Sequence, residues 1–144
     1  MGNNALLGRA IGLKSVKPFL EYEGRCVGVQ GNWPGSREEL LQKTRKALDG
    51  PVKSFDAGPP RPKRVAIVTG GAGSDIHRVS ASGIDTFITG EAPHWAGVAA
   101  AELEINLLLG GHYATETFGV KALAAHLSKK FSLSWEFLDF PTGL

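Results

Sequence analysis

The stretch RVAIVTGGAGSDIHRVSASGIDTFITGEAPHWAGVAAAELEINLLLGG, residues 64–111, decides the fold. Its apolar runs at 64–70, 84–90 and 105–110 each end in glycine, and helical patterns at 74–83 and 94–104 separate them. Short apolar strands that alternate with helices indicate crossover connections on a largely parallel sheet. We therefore predict an α/β protein, a layered α/β/α lobe with a mainly parallel sheet in which these three strands are neighbours.

The flanking sequence is less uniform. After residue 111 we predict a helix over 115–131 and an alternating strand over 133–140. Before residue 64 we predict a helix over 36–50, which opens with a capping box, and a shorter helix over 4–11. Residues 1–144 are thus expected to form a single lobe, with 1–63 as its less regular leading and connecting region.

Composition excludes several classes of protein. The net charge is +2, and the basic residues form only two tight groups, RPKR at 61–64 and KK at 129–130, which argues against a nucleic-acid-binding surface. A single cysteine, Cys26, rules out an intramolecular disulfide and a multi-cysteine metal site. No apolar run approaches the roughly 20 residues of a membrane helix. We expect a cytoplasmic protein with no membrane segment.

The strand ends point to a site. The three strands finish in TGG at 69–71, TGE at 89–91 and GGH at 110–112. Ligands of open α/β sheets bind beyond the carboxyl ends of the strands. Four side chains are expected to converge there: Glu91, His94, His112 and Glu116.

His112 and Glu116 are the strongest candidates, because the histidine follows two glycines and the carboxylate lies four residues later. This spacing fits two metal ligands, and it equally fits an ion pair on a helix surface. Glu91 suits either the cleft or the N-terminus of the helix that follows it, and His94 suits the cleft or a plain helix start.

The other two histidines, His77 and His126, have no acid at helical spacing, which favours surface or packing roles. The loop TGGAGS at 69–74 joins a strand to a helix, as a phosphate-binding turn does. It lacks the G-x-G-x-x-G pattern, because position 76 is Ile. Its candidate phosphate-contacting residues are Gly70, Gly71, Gly73 and Ser74.

Several motifs together resemble one family. They are GNNALLGRAIGL (2–13), TGGAGSDI (69–76), GIDTFITGE (83–91), GHYATETFGVKALAAHL (111–127) and FLDFPTG (137–143). The chain resembles, from end to end, the C-terminal half of the Nif-three-like dinuclear-metal-centre proteins, the GTP cyclohydrolase I type 2 homologues.

The resemblance implies a protein of two similar lobes that assembles into dimers and a toroidal hexamer. It implies two divalent metal ions per complete site, of zinc, manganese or iron, held in a cleft between the lobes. It makes His112 and Glu116 metal ligands and places Glu91 near the same cleft. The implied activity is metal-dependent hydrolysis of a nucleotide or another small molecule; no catalytic residue is predicted.

The family's remaining ligands, a His-His pair and an Asp, lie upstream of the segment that begins GNNALL, and this sequence contains none of them. We therefore expect a fragment or a truncated gene that carries half a metal site. Two functions stay open: the metal-binding lobe of a hydrolase-like protein, incomplete as a catalyst, or a non-catalytic oligomerisation or binding module with a relic site. We expect a homo-oligomer with interface residues partly from 1–30, and Trp95 in a core or an interface.

Overall fold

The computed structural model describes residues 2–142. The elements are α1 (Asn3–Ile11), β1 (Lys14–Tyr22), β2 (Arg25–Asn32), α2 (Arg37–Leu48), β3 (Lys53–Asp56), β4 (Arg64–Val68), a 3₁₀ turn (Ala72–Asp75), α3 (Ile76–Ala81), β5 (Thr86–Thr89), α4 (Trp95–Glu102), β6 (Asn106–Leu109) and α5 (His112–Phe131). Among the residues described, no helix has the length and apolar character needed to cross a membrane.

The six strands form one sheet in the order β1-β2-β4-β5-β6-β3. Its centre is parallel: Val65 pairs with Thr86, and Thr86 pairs with Asn106. The predicted α/β class and the predicted neighbourhood of these three strands are confirmed. The outer pairs β1–β2, β2–β4 and β3–β6 are antiparallel, so the sheet as a whole is mixed and the parallel arrangement is confined to its middle.

Helices cover both faces of the sheet, because side chains of the central strands alternate between two apolar clusters. Ile67 and Ile88 belong to the cluster that includes Leu7 of α1 and Leu40 of α2. Ala66, Phe87 and Leu107 belong to the other cluster, with residues of α3 and α4. Each fully buried Leu or Ile contributes about 1.5–3 kcal/mol, so the two clusters fix the layered α/β/α arrangement.

Residues 1–63 are more regular than the sequence indicated. Both helices predicted there are present, and the capping box of α2 is formed between Ser36 and Glu39. The strands β1, β2 and β3 were not predicted. Their side chains do not alternate cleanly between apolar and polar, because β1 and β3 are edge strands with much of their surface exposed.

The strand predicted over 133–140 is wrong: these residues belong to neither a strand nor a helix. Their alternating pattern is that of a strand, but no sheet edge within residues 2–142 pairs with them. Apolar side chains of the segment remain in solvent, with Trp135 46% exposed and Phe140 82% exposed. Tyr113 holds the segment, since its hydroxyl donates to Asp139 Oδ1 at 2.9 Å and accepts from the Phe140 amide at 2.8 Å.

Candidate functional site

The carboxyl ends of β4, β5 and β6 lie side by side and are joined by backbone hydrogen bonds. The amides of Gly90 and Glu91 donate to the carbonyl of Gly70 at 2.9 and 3.0 Å. The amide of Gly111 donates to the carbonyl of Gly90 at 2.8 Å. The residues that follow the three strands therefore form one rigid rim.

Helix α5 begins at His112, three residues before the predicted start at 115. Gly111 precedes it with φ 87° and ψ 134°, a conformation that glycine adopts readily and that turns the chain sharply from strand to helix. The buried Thr115 hydroxyl accepts from the Gly70 amide at 3.1 Å and donates to the His112 carbonyl at 3.0 Å. His112 and Glu116 are consequently one helical turn apart, on a turn that is fastened to the rim.

Three of the predicted side chains meet at this rim. His112 Nδ1 lies 2.8 Å from Glu91 Oε1, and His112 Nε2 lies 3.3 Å from Glu116 Oε2. The three side chains are between 42% and 47% exposed, so a ligand can reach them. The structure thus brings together Glu91, His112 and Glu116.

The two carboxylates set the charge of the imidazole. The hydrogen bond to Glu91 raises the pKa of His112 above its ordinary 6.5, the nearby charge of Glu116 adds to this effect, and partial burial opposes it. When Nδ1–H donates to Glu91, the Nε2 lone pair of the neutral ring faces the Glu116 carboxylate. These two groups repel each other unless a cation, either a proton or a metal ion, lies at Nε2.

The geometry fits a divalent metal ion. Two ligands bound at about 2.0–2.2 Å to the same ion lie roughly 3–3.5 Å apart, and the Nε2–Oε2 distance of 3.3 Å falls in that range. A carboxylate that accepts the second N–H of a ligating histidine is the usual partner that fixes the ring, and Glu91 occupies that position. A direct ion pair between His112 and Glu116 would also place Nε2 about 3.3 Å from Oε2, so this distance fits both a metal site and an ion pair.

Glycines keep space open beside these groups. A Cβ atom at Gly70 would lie 2.8 Å from Glu116 Oε1 and 3.2 Å from His112 Nε2. A Cβ atom at Gly71 would lie 3.2 Å from Glu91 Oε1. A side chain at either position would crowd the imidazole and the carboxylates, so these two glycines keep the rim open.

The described residues supply only part of a coordination shell. Within 2–142 there is no group of three or more His, Cys, Asp or Glu residues that could hold a metal ion. His112 and Glu116 offer two candidate ligands, whereas a zinc site has three or four from protein.

The glycine loop has another role in this structure. The amide of Gly70 donates to Thr115, that of Ala72 donates to Thr89 Oγ1, and that of Gly73 donates to the Glu91 carbonyl. These amides hold the strand ends together and do not point to a free phosphate position. Phosphate contact by Gly70, Gly71, Gly73 and Ser74 stays a prediction without support from this geometry.

The other predicted histidines lie elsewhere. His94 is exposed, forms no hydrogen bond or ion pair within residues 2–142 that would join it to the three side chains, and lines a separate groove of about 460 Å³ with Lys53 and Phe55. His77 stacks on Trp95 with ring centres 6.0 Å apart. Trp95 is 45% exposed and so lies at the surface instead of in a core.

Two supporting residues were not predicted, although both lie in the motifs quoted above. Asn4 accepts a hydrogen bond from the Thr69 amide at 2.7 Å and thereby ties α1 to the rim. Tyr113 fastens the C-terminal segment beside His112, where it helps to line a groove of about 560 Å³. Tyr113 directly follows His112, and this adjacency was the signal available in the sequence, whereas Asn4 adjoins no candidate site residue.

Curated relatives match the whole chain. A protein from Deinococcus radiodurans named GTP cyclohydrolase 1 type 2 homolog is 36% identical over 146 residues, which cover 100% of this chain and 56% of the relative. A protein of the same name from Pyrococcus horikoshii is 39% identical over 147 residues, covering 100% of this chain and 58% of the relative. The chain therefore spans a little more than half the length of these relatives.

Solved structures of similar fold also match nearly the whole chain. Protein ybgI, described as of unknown function, matches with a TM-score of 0.86 and 31% identity, covering 98% of this chain and 56% of that one. TTHA1606 from Thermus thermophilus matches with a TM-score of 0.85 and 34% identity, covering 99% of this chain and 56% of that one. The family model for Duf34/NIF3 (NGG1p interacting factor 3) matches residues 1–142. This chain belongs to the Duf34/NIF3 family.

Proposed function

We propose that this chain supplies part of a divalent metal centre in a hydrolase-like protein of the GTP cyclohydrolase 1 type 2 homologue kind. His112 and Glu116 are the direct ligands, and Glu91 orients the imidazole. The observation that carries the proposal is the position of His112 between two carboxylates, with Nε2 3.3 Å from Glu116 Oε2.

The residues of the chain have separate tasks in this proposal. Glu91 keeps the proton on Nδ1, which leaves Nε2 free to donate its lone pair. Glu116 supplies the negative charge that offsets a cation, and the glycines at 70 and 71 keep the approach open. Imidazole and carboxylate ligands suit zinc, manganese or iron. A divalent ion bound here would supply Lewis-acid chemistry.

The substrate class comes from the relatives' names, which refer to GTP; we propose a nucleotide or a similar small molecule. The chain by itself offers two direct ligands and spans 56–58% of those relatives. We therefore propose that it binds metal weakly and shows little or no nucleotide hydrolysis alone. Robust metal-dependent GTP turnover by the isolated chain would contradict this.

Calorimetric titration with zinc and with manganese tests the ligand assignment. We expect weak, saturable binding that is lost in both His112→Ala and Glu116→Ala. His126→Ala is the matched control, because His126 is an exposed histidine on the same helix. Binding that survives in both ligand variants, or that disappears equally in the control, would refute the assignment and leave a surface ion pair.

A further inference from the structure

The segment 133–142, here named the return segment, lies along the helix that precedes it. Ser132 ends α5 with φ 55°, a left-handed conformation that turns the chain back. Tyr113, in the first turn of α5, is hydrogen-bonded to Asp139 and to the Phe140 amide. Helix α5 has 20 residues and is about 30 Å long, whereas an extended chain covers about 3.3 Å per residue. The return segment is therefore extended along α5 and brings its end back to the start of the helix.

Three sets of contacts hold the return segment against α5. At its beginning, the Leu133 amide donates to the Ser128 carbonyl at 3.2 Å, and the Ser128 hydroxyl donates to the Leu133 carbonyl at 2.6 Å. In its middle, Lys121 Nζ lies 4.2 Å from the centre of the Phe137 ring. The Tyr113 hydroxyl holds its end. The return segment thus has a defined position although it pairs with no strand.

A groove of about 560 Å³ lies between the return segment and the first turns of α5. Its walls include three aromatic rings, those of Tyr113, Phe137 and Phe140, together with Val120 and Thr117. The aromatic groove, as we name it by these five residues, has a volume within the roughly 300–1,000 Å³ of small-molecule sites. It is therefore large enough for a drug-sized or nucleotide-sized ligand.

The aromatic groove is continuous with the candidate metal site. His112 and Glu116 line it as well, and Thr142 adds a hydroxyl group. Small-molecule sites typically combine an apolar wall with a few polar groups that orient the ligand. A molecule in the groove would consequently adjoin both candidate metal ligands, which is the position that a substrate of the proposed function requires.

The lining favours a planar heterocycle over an alkyl chain. Aromatic side chains stack on the faces of bases, and the aromatic groove has three such rings. The imidazole, the carboxylate and the threonine hydroxyls beside them can bond the N–H and C=O groups of a heterocycle. An alkyl chain would contact the apolar walls, but it would displace water from these polar groups without replacing the lost hydrogen bonds.

We propose that the aromatic groove binds the heterocyclic base of a nucleotide, with Tyr113 and Phe140 as its stacking partners. The nucleotide is the substrate only if the proposed function is correct, and in that respect this inference rests on the proposed function. Base binding itself requires no metal ion. The two proposals can therefore be tested separately.

NMR titration of the metal-free chain with GMP tests the base-binding role, and ribose 5-phosphate is the matched probe that lacks the base. We expect saturable shifts of the Tyr113, Thr117 and Phe140 signals at GMP concentrations up to about 5 mM. Ribose 5-phosphate should cause no such shifts. Tyr113→Phe keeps the ring but removes the hydroxyl that holds the return segment, so it should weaken GMP binding.

Two substitutions in the return segment separate stacking from general effects. Phe140→Ala should weaken GMP binding by about tenfold, because a stacking ring is lost. Phe140 is 82% exposed, so its removal should leave the circular dichroism unchanged. Trp135→Ala is the matched control, since Trp135 is an exposed aromatic residue of the same segment that does not line the groove, and GMP binding should stay the same.

Several results would overturn the base-binding role. Equal shifts from GMP and ribose 5-phosphate would do so, as would GMP binding that Phe140→Ala leaves unchanged. Saturable binding of octanoate in the groove, without binding of GMP, would assign the groove to an alkyl chain instead. Zinc binding without GMP binding would refute the base-binding role alone, whereas GMP binding without zinc binding would refute the metal ligands alone.

Discussion

Replacing Gly70 by alanine tests how tightly the backbone shapes the site. Gly70 has φ +76°, and its added Cβ atom would lie 2.8 Å from Glu116 Oε1. Positive φ costs a residue with a Cβ atom about 1–2 kcal/mol, which lowers the melting temperature of a chain of this length by roughly 3–8 °C. An ordinary contact begins near 3.4 Å, so the carboxylate also has to retreat by about 0.6 Å.

That displacement is expected to reduce zinc affinity by about tenfold or more, or roughly 1.4 kcal/mol, because ligand positions are sensitive to shifts of this size. Calorimetric titration and thermal unfolding measure the two effects separately. Gly24→Ala is the matched control. Gly24 has φ +77° and no atom within 4 Å of an added Cβ. Gly24→Ala therefore introduces the same backbone strain but displaces no carboxylate.

The expected result is a similar loss of stability in both variants and a loss of zinc affinity in Gly70→Ala alone. Unchanged zinc affinity in Gly70→Ala would refute the reasoning, since the carboxylate beside Gly70 would then have no part in metal binding. An equal loss of affinity in Gly24→Ala would assign the effect to general destabilisation.

The remaining predictions concern single side chains with defined hydrogen bonds. Ser36→Ala should cost about 1 kcal/mol in urea denaturation, because it removes the acceptor for the Glu39 amide. The hydrogen bond from the Ser36 amide lowers the pKa of Glu39 below 4.5. The ionised Glu39 therefore stabilises the fold above pH 4.5, and this contribution is lost as the pH falls through the lowered pKa. Glu39→Gln should make the free energy of unfolding less dependent on pH in this range. Glu91→Gln should return the pKa of His112 toward 6.5 in an NMR titration of the metal-free chain, and a value that stays raised would contradict the role of Glu91. Asn106→Ala should lower the stability by about 2–4 kcal/mol in thermal unfolding. The buried side-chain amide of Asn106 accepts a hydrogen bond from the Gly58 amide and donates one to the Pro59 carbonyl, and both backbone groups would lose this partner.

The central strand β4 was predictable because it is buried on both faces and its residues from Val65 to Val68 are all apolar. Val65 and Ile67 face one cluster while Ala66 and Val68 face the other, so no polar residue interrupts the run. The edge strands were not predictable from pattern alone. Pro18 and two lysines occupy β1, and only Phe19 and Leu20 of that strand are buried.

The site was predictable in position but not in detail. Glycines at three consecutive strand ends placed Glu91, His112 and Glu116 on one rim. The start of α5 at His112 depends on the conformation of Gly111, and the hydrogen bond between Glu91 and His112 joins residues 21 apart in sequence. Such contacts arise from the register of β5 against β6, which local spacing does not encode.

In the segment 133–140 the sequence predicted a strand that the structure does not contain. Its alternating residues have the local preference of a strand, yet a strand requires a neighbour with which to exchange hydrogen bonds, and the described part of the chain provides none to it. The local sequence pattern predicts a preference for strand conformation, but a strand forms only where another strand pairs with it.

Anomalous diffraction at the zinc edge, from crystals of this chain grown with zinc, tests the central claim most directly. We expect a peak at about 2.0–2.2 Å from both His112 Nε2 and a carboxylate oxygen of Glu116, with Glu91 still hydrogen-bonded to Nδ1. A map without a peak at this rim, in which His112 and Glu116 remain in direct contact at saturating zinc, would contradict it.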